Sequence, residues 1–200
     1  MSKKREPKVI NILGKGDGWR RILDDHAAGK LEGSITYGTN DVFVSVPFVD
    51  ITFHMHKLDD FLANEKTRYS TELCIVEANK RPEMKFYAVE PFDAIPHLQE
   101  YPLKEIVDHF NMCYFACTID YMLAYAIKHE ELGPGDTINL YGVNMSVLKE
   151  YEDERPGVEH WLGRAMGMGI KVNLQHDVTS LFKTKTGLLY GYLIEQWRTS

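Results

Sequence analysis

The chain has 200 residues, 44% of them hydrophobic and 26% charged, which is the composition of an ordinary globular protein of one domain. Its net charge of −6 argues against a broad phosphate-neutralising face, so nucleic acid is not an expected partner. No apolar run reaches the roughly 18 residues of a membrane span, and no apolar leader core follows the basic segment 1–8, so no membrane association and a cytoplasmic location are expected.

Residues 1–8, with the cluster Lys3-Lys4-Arg5, read as a solvated, disordered tail. Val9-Ile-Asn-Ile-Leu13 is an apolar strand that runs into Gly14-Lys-Gly16-Asp-Gly18, and Trp19 to Ala28 has helix-compatible spacing. A strand, a glycine turn and a helix start in that order make the first βα unit of a nucleotide-binding sheet. Glycine lets the backbone approach a phosphate, and the helix start supplies N–H groups. The pattern is GxGxG rather than GxGxxG, and no acidic residue closes the next strand about 20 residues on, so a dinucleotide is disfavoured. A tight turn holding no ligand is the plain alternative.

Ser34-Ile-Thr-Tyr37 is a second strand, ending at Gly38-Thr-Asn40. Asn40 there offers a base or ribose both a donor and an acceptor, or simply forms an Asx turn. Val49 to Phe53 is a third strand, followed by His54-Met-His56. A period of two puts both rings on one face, but no third ligand is near in sequence and no metal is expected. Leu58 to Leu62 reads as a short helix, and Leu73-Cys-Ile-Val76 and Phe86-Tyr-Ala-Val89 as strands. Pro91, Pro96 and Pro102 punctuate an irregular connection into a helix over Leu103 to Phe110.

Tyr114 to His129 is the longest helical pattern, with Ile119, Met122, Leu123 and Ala126 on its buried face and Gly133-Pro-Gly135 as its stop. Thr118 at its start places a hydroxyl near free N–H groups, as a phosphate ligand or as a cap. Cys74, Cys113 and Cys117 lack zinc spacing; Cys113 and Cys117 share a helix face and read as small, reduced core residues.

The stretch Thr137 to Lys171 is the centre of the reading. A buried strand, Thr137 to Gly142, leads into a polar loop, Asn144 to Arg155, then a helix, Pro156 to Met168, and another short strand, Ile170-Lys-Val172. Ligands of open parallel sheets sit where loops leave the carboxyl ends of strands, so residues 144–155 are the first place to look for chemistry. Asp177 to Tyr192 adds a final strand or a terminal flap. Together these elements predict an α/β, Rossmann-like three-layer sandwich with a mostly parallel sheet, as one domain over residues 1–200.

Several segments carry a family resemblance: Ile12-Leu-Gly-Lys-Gly16, Tyr37-Gly-Thr-Asn40, Asp50-Ile-Thr-Phe-His-Met55, Thr118-Ile-Asp-Tyr-Met122 and Asn139-Leu-Tyr-Gly-Val-Asn144. In this order they resemble the Rossmann-like glycosyltransferases of the bacterial family 42 sialyltransferase type and the related motility-accessory and hydroxymethylpterin-pyrophosphokinase-like proteins. Tyr151-Glu-Asp-Glu-Arg-Pro156 and Trp161 to Ile170 look more specifically like a group of bacteriophage-encoded proteins with this fold. The resemblance covers most of residues 8–175. It implies that Gly14, Gly16 and Asn40 hold a cytidine nucleotide and that Thr118 contacts phosphate. It also implies a catalytic histidine in the loop before the last helix, where this chain has Tyr151, Glu152 and Arg155, with His160 farther on.

The expected activity is therefore metal-independent glycosyl transfer from a nucleotide sugar, with Gly142 and Asn144 added to the nucleotide-binding set and no required cofactor. Thr118, Arg155 or Tyr151 would meet phosphate charge, and Glu152, His160 or His56 would take the acceptor proton. Arg155 paired with Glu159, a solvated acidic loop and a half-buried His160 are the plain alternatives. A second reading is a non-catalytic nucleotide binder, such as a phage protein that sequesters a host nucleotide signal in the host cytoplasm. A third is an assembly protein using exposed Trp19, Trp161 and Trp197. The sequence leaves open whether the chain forms a homo-oligomer.

Overall fold

A computed structural model describes residues 5–56, 69–147, 149–175 and 179–184. Seven strands form one parallel sheet: β1 (Val9–Leu13), β2 (Ile35–Thr39), β3 (Ile51–His54), β4 (Lys85–Ala88), β5 (Leu98–Glu100), β6 (Thr137–Tyr141) and β7 (Lys171–Leu174). Their order is β5-β4-β3-β2-β1-β6-β7. The inner strands are apolar and almost wholly buried because helices cover both faces, whereas the edge strand β7 alternates between exposed and half-buried residues.

The helices are α1 (Arg21–Ala27), α2 (Thr71–Asn79), α3 (Leu103–Phe110), α4 (Thr118–His129) and α5 (Arg155–Gly167). Alternate strand residues feed two cores. Ile10, Ile12, Phe53, Ile138 and Leu140 join Met122, Leu123, Trp161 and Leu162 on the α4–α5 face. Leu13, Phe86 and Tyr141 join Trp19, Ile22, Cys74 and Ala78 on the α1–α2 face. Together they give the three layers expected of a Rossmann-like α/β sandwich. Among the described residues no helix is long and apolar enough to cross a membrane.

Side-chain amides fix the register of the central strands. Asn11 lies opposite Asn139, and Asn139 opposite Asn173. Asn139 Nδ2 donates to Asn11 Oδ1 at 2.9 Å, and Asn173 Nδ2 donates to Asn139 Oδ1 at 2.9 Å. A one-residue slip would break this ladder and also turn each strand's apolar set to the wrong layer.

Several expectations change. Leu73 to Val76 is part of α2, not a strand. Ser70 caps that helix, its Oγ accepting from Leu73 N–H, and Cys74 and Ala78 are the buried pair at i, i+4; a four-residue apolar run does not separate the two states. The proline-punctuated connection contains β5, whose Leu98 pairs in register with Phe86. Helix α4 starts at Thr118, so Cys113 lies in the preceding loop and is exposed, whereas Cys74 is buried; all three thiols are free. Trp19 and Trp161 are buried core residues rather than an exposed assembly surface. Leu58 to Leu62, Trp197 and the segment Thr186 to Tyr192 lie outside the described residues. Arg5 and Lys8 of the basic tail hold Asp136: Arg5 Nη1 and Lys8 N–H each donate to its Oδ1 at 2.8 Å.

Candidate functional site

Strand β1 has β2 on one side and β6 on the other, with α1 covering one face of the sheet and α4 the other. The helices that follow β1 and β6, α1 and α5, pack on opposite faces of the sheet, and this switch point lies at the carboxyl ends of the two strands. A cleft of about 610 Å³ lies there. It is walled by the glycine loop Gly14–Asp17, by Thr39 and Asn40 at the end of β2, by His56 after β3, by Ala116–Ile119 at the start of α4 and by Gly142–Val147 after β6. One π-helical turn, Glu150–Glu154, occupies the loop expected from sequence, and Lys149, Glu150, Asp153 and Glu154 close the cleft on that side.

The glycines are required by backbone contact. A Cβ on Gly14 would stand 2.5 Å from the Gly142 carbonyl oxygen. Gly142 has φ +62°, and a Cβ there would stand 2.7 Å from that of Trp19. The N–H of Gly14 donates to Tyr141 O at 2.8 Å and that of Gly16 to Gly142 O at 2.9 Å. These two donors are thus engaged by the β6 loop, and the glycine loop is a seam between β1 and β6 before it is a phosphate cradle.

Asn40 is held at φ +50° after β2, its N–H donating to Phe53 O at 2.8 Å. Asn144 reaches from the β6 loop to the glycine loop, its Nδ2 donating to Asp17 O at 3.3 Å. Both side-chain Oδ1 atoms are buried without a hydrogen-bond partner among the described residues.

Lys15 of the glycine loop pairs with buried Asp41 at 2.5 Å. Asp41, two residues past β2, is fully buried and does not line the cleft, so it holds the glycine loop rather than facing a ribose. His54 is buried and its ring lies 5.5 Å from that of His56, which lines the cleft. Burial, and then the charge of His56, push the His54 imidazole down to about 4, so it is neutral at pH 7. Among the described residues no group of three or more His, Cys, Asp or Glu side chains stands ready to hold a metal ion.

Asp120, on the first turn of α4, is fully buried beside the cleft wall and was not singled out in the sequence. Its Oδ2 accepts from Ala116 N–H at 2.6 Å and from Cys117 N–H at 3.2 Å, which fixes the loop entering α4. Burial pushes its carboxyl up to about 7, against those two bonds and with Glu154 adding to the rise. Glu154 is half-buried, and burial followed by the charge of Glu150 raises its carboxyl too. The sequence offered no signal for Asp120 beyond its place in Thr118-Ile-Asp120.

All six residues assigned to nucleotide binding, Gly14, Gly16, Asn40, Thr118, Gly142 and Asn144, line this one cleft. Glu152, Arg155 and His160 do not line it. Glu152 is exposed. Arg155 Nε donates to Glu159 Oε1 at 2.7 Å and its Nη2 to Lys183 O at 2.5 Å. His160 packs edge-on to Tyr114 and Trp161, each with ring centroids 5.7 Å away. The side chain of Tyr151 lies outside the described residues. Comparison with family models, with curated proteins and with solved structures finds no match.

Proposed function

We propose that the chain binds a nucleotide-linked sugar in the cleft between β1, β2 and β6 and transfers the glycosyl group to an acceptor hydroxyl. The observation that carries this reading is the convergence of the glycine loop, Asn40, Thr118 and Asn144 on one crevice at the switch point of a parallel sheet. Asn40 Oδ1 suits a ribose hydroxyl or a base amino group, and Thr118, first residue of α4, suits a phosphate oxygen. The lining has two lysines and no arginine among the described residues, which favours a donor with one phosphate over a polyphosphate.

In the transfer, the acceptor oxygen bonds to the anomeric carbon as the bond from that carbon to the phosphate oxygen breaks. The electron pair leaves with the nucleotide, and the acceptor proton passes to a carboxylate. Glu154 suits that role: it lines the cleft, is half-buried, and burial raises its proton affinity.

A thermal-shift screen against mono- and diphosphates of the four nucleosides and their sugar conjugates, with and without magnesium, tests the reading. A ligand at about 100 times its dissociation constant adds roughly 2.7 kcal/mol, a shift of several degrees. A selective shift with a pyrimidine nucleotide supports the transferase reading; no shift with any nucleotide overturns it.

A non-catalytic nucleotide binder is the second reading, favoured by the ordinary structural partners of Arg155 and by the absence of Glu152 and His160 from the cleft lining. It predicts a nucleotide-dependent shift with no hydrolysis or transfer of any sugar conjugate that binds.

A further inference from the structure

We infer that the joint between the starts of α4 and α5 is a proton-operated latch on the cleft wall, tightest when the Asp120 carboxyl carries a proton and looser as it ionises. The latch acts on the wall and requires nothing of the ligand. Asp120 is fully buried on the first turn of α4, directly against the bare backbone of Gly157 at the start of α5. Its Oδ2 accepts from the N–H groups of Ala116 and Cys117, which line the cleft just before α4. Its Oδ1 is buried without a hydrogen-bond partner, and no lysine, arginine or histidine pairs with the carboxyl among the described residues. A bare anionic oxygen in such a place costs far more than a neutral one. A proton on Oδ1 removes that cost and leaves Oδ2 as a carbonyl oxygen that keeps both N–H bonds.

The titratable groups around the carboxyl give it no counter-charge. On its own helix they are the Cys117 thiol and the Tyr121 phenol, both pushed up by burial and so neutral near pH 7. On the π-helical turn the group is Glu154, whose like charge adds to the rise of Asp120. From α5 it meets only the backbone of Gly157. The other fastenings of the same loop carry no charge: Trp161 Nε1 donates to Tyr114 O at 2.9 Å, and Phe115 stacks on Trp161 at 5.3 Å and on Tyr121 at 4.5 Å between ring centroids. His160 of α5, edge-on to Tyr114, is the titratable ring against this loop and the natural control. Burial brings the closed carboxyl up to about 7, and water in an open joint returns it toward the ordinary 3.8. The closed joint therefore binds the proton more tightly: opening grows as pH rises from about 4 to about 7 and levels off above that.

The test is amide hydrogen exchange of the full chain, followed by NMR from about pH 5 to about pH 8 and corrected for the intrinsic pH dependence of exchange. Opening at the Ala116 and Cys117 amides is expected to grow about tenfold per pH unit at the acid end of this range and to level off above about pH 7, the slope of one linked proton. Asp120→Asn keeps an oxygen for both N–H groups and removes the titration, so its profile is expected to be flat. The carbon-13 shift of the Asp120 carboxyl in the parent should titrate over the same range, a direct readout should that variant fail to fold. Glu154→Gln removes the like charge and should move the levelling point to lower pH. A flat profile in the parent, a carboxyl already ionised at about pH 5, or a pH dependence that survives in Asp120→Asn overturns the inference. A dependence that disappears only in His160→Gln belongs to the histidine and overturns it as well.

Discussion

Asp120 Oδ2 occupies the space that a Cβ on Gly157 would need, so the starts of α4 and α5 meet through a carboxylate and a bare backbone. This contact backs the cleft wall formed by Ala116, Cys117 and Thr118. Helix propensity alone would make Gly157→Ala stabilising by about 1 kcal/mol. The buried contact instead predicts destabilisation by about 2 kcal/mol, from displacement of a carboxylate that also holds two N–H groups. Urea denaturation measures this, and in an Asp120→Ala background the cost should largely vanish. The same penalty in both backgrounds would reject the contact as its cause.

His54 ties stability to pH. Its folded-state pKa of about 4, set first by burial and then by the charge of His56, lies below the ordinary 6.5, so the fold favours the neutral ring. That contribution is complete above about pH 6.5 and is lost as pH falls toward 4, up to about 3 kcal/mol. Unfolding of the parent and of His54→Gln, followed in urea across this range, should show the steeper acid loss in the parent. Parallel pH profiles would contradict a buried neutral imidazole.

Asp136 acts over a lower window. Burial works to raise its carboxyl, but the Arg5 guanidinium and the N–H groups of Lys8 and Gly133 outweigh it and hold the group below its usual range. Its stabilisation is present above about pH 3.9 and is lost as pH falls through the lower folded value. Asp136→Asn should cost about 2 kcal/mol near pH 7, with the difference from the parent narrowing below about pH 4. Chemical denaturation at the two pH values measures both quantities.

The cleft asparagines and Arg155 should separate binding from support. Asn40→Ala and Asn144→Ala should each weaken nucleotide affinity about tenfold, the loss of roughly one good hydrogen bond. Arg155→Ala should change affinity by less than about twofold while lowering stability by about 1 kcal/mol through its bonds to Glu159 and Lys183. Titration calorimetry beside thermal unfolding distinguishes the two effects, and the reverse pattern would move the ligand away from this cleft.

Some of this was legible residue by residue. Val9–Leu13 and Thr137–Tyr141 are continuous apolar runs stopped by glycine, and inner parallel strands must read that way because both of their faces are covered. Leu73 to Val76 was misleading because a short apolar run suits either state, and Ser70 decided for helix. Gly14, Asn40, Thr118 and Asn144 were legible as neighbours in one cleft because each follows a strand or opens a helix, and a topological rule gathers such positions at one edge of the sheet.

What the sequence by itself determined is the α/β layering and the edge of the sheet at which the cleft opens, because apolar period and glycine stops are local properties. Only the tertiary structure decided which acidic side chains face the cleft. The run Glu150–Glu154 forms a π-turn, whose hydrogen bonds span one residue more than those of an α-helix, so the angular phase that puts Glu150, Asp153 and Glu154 in the cleft lining and leaves Glu152 out of it cannot be read from α-helical spacing. Likewise, the engagement of the Gly14 and Gly16 N–H groups by Tyr141 and Gly142 joins segments more than a hundred residues apart in the chain, a pairing that exists only once β1 and β6 lie side by side.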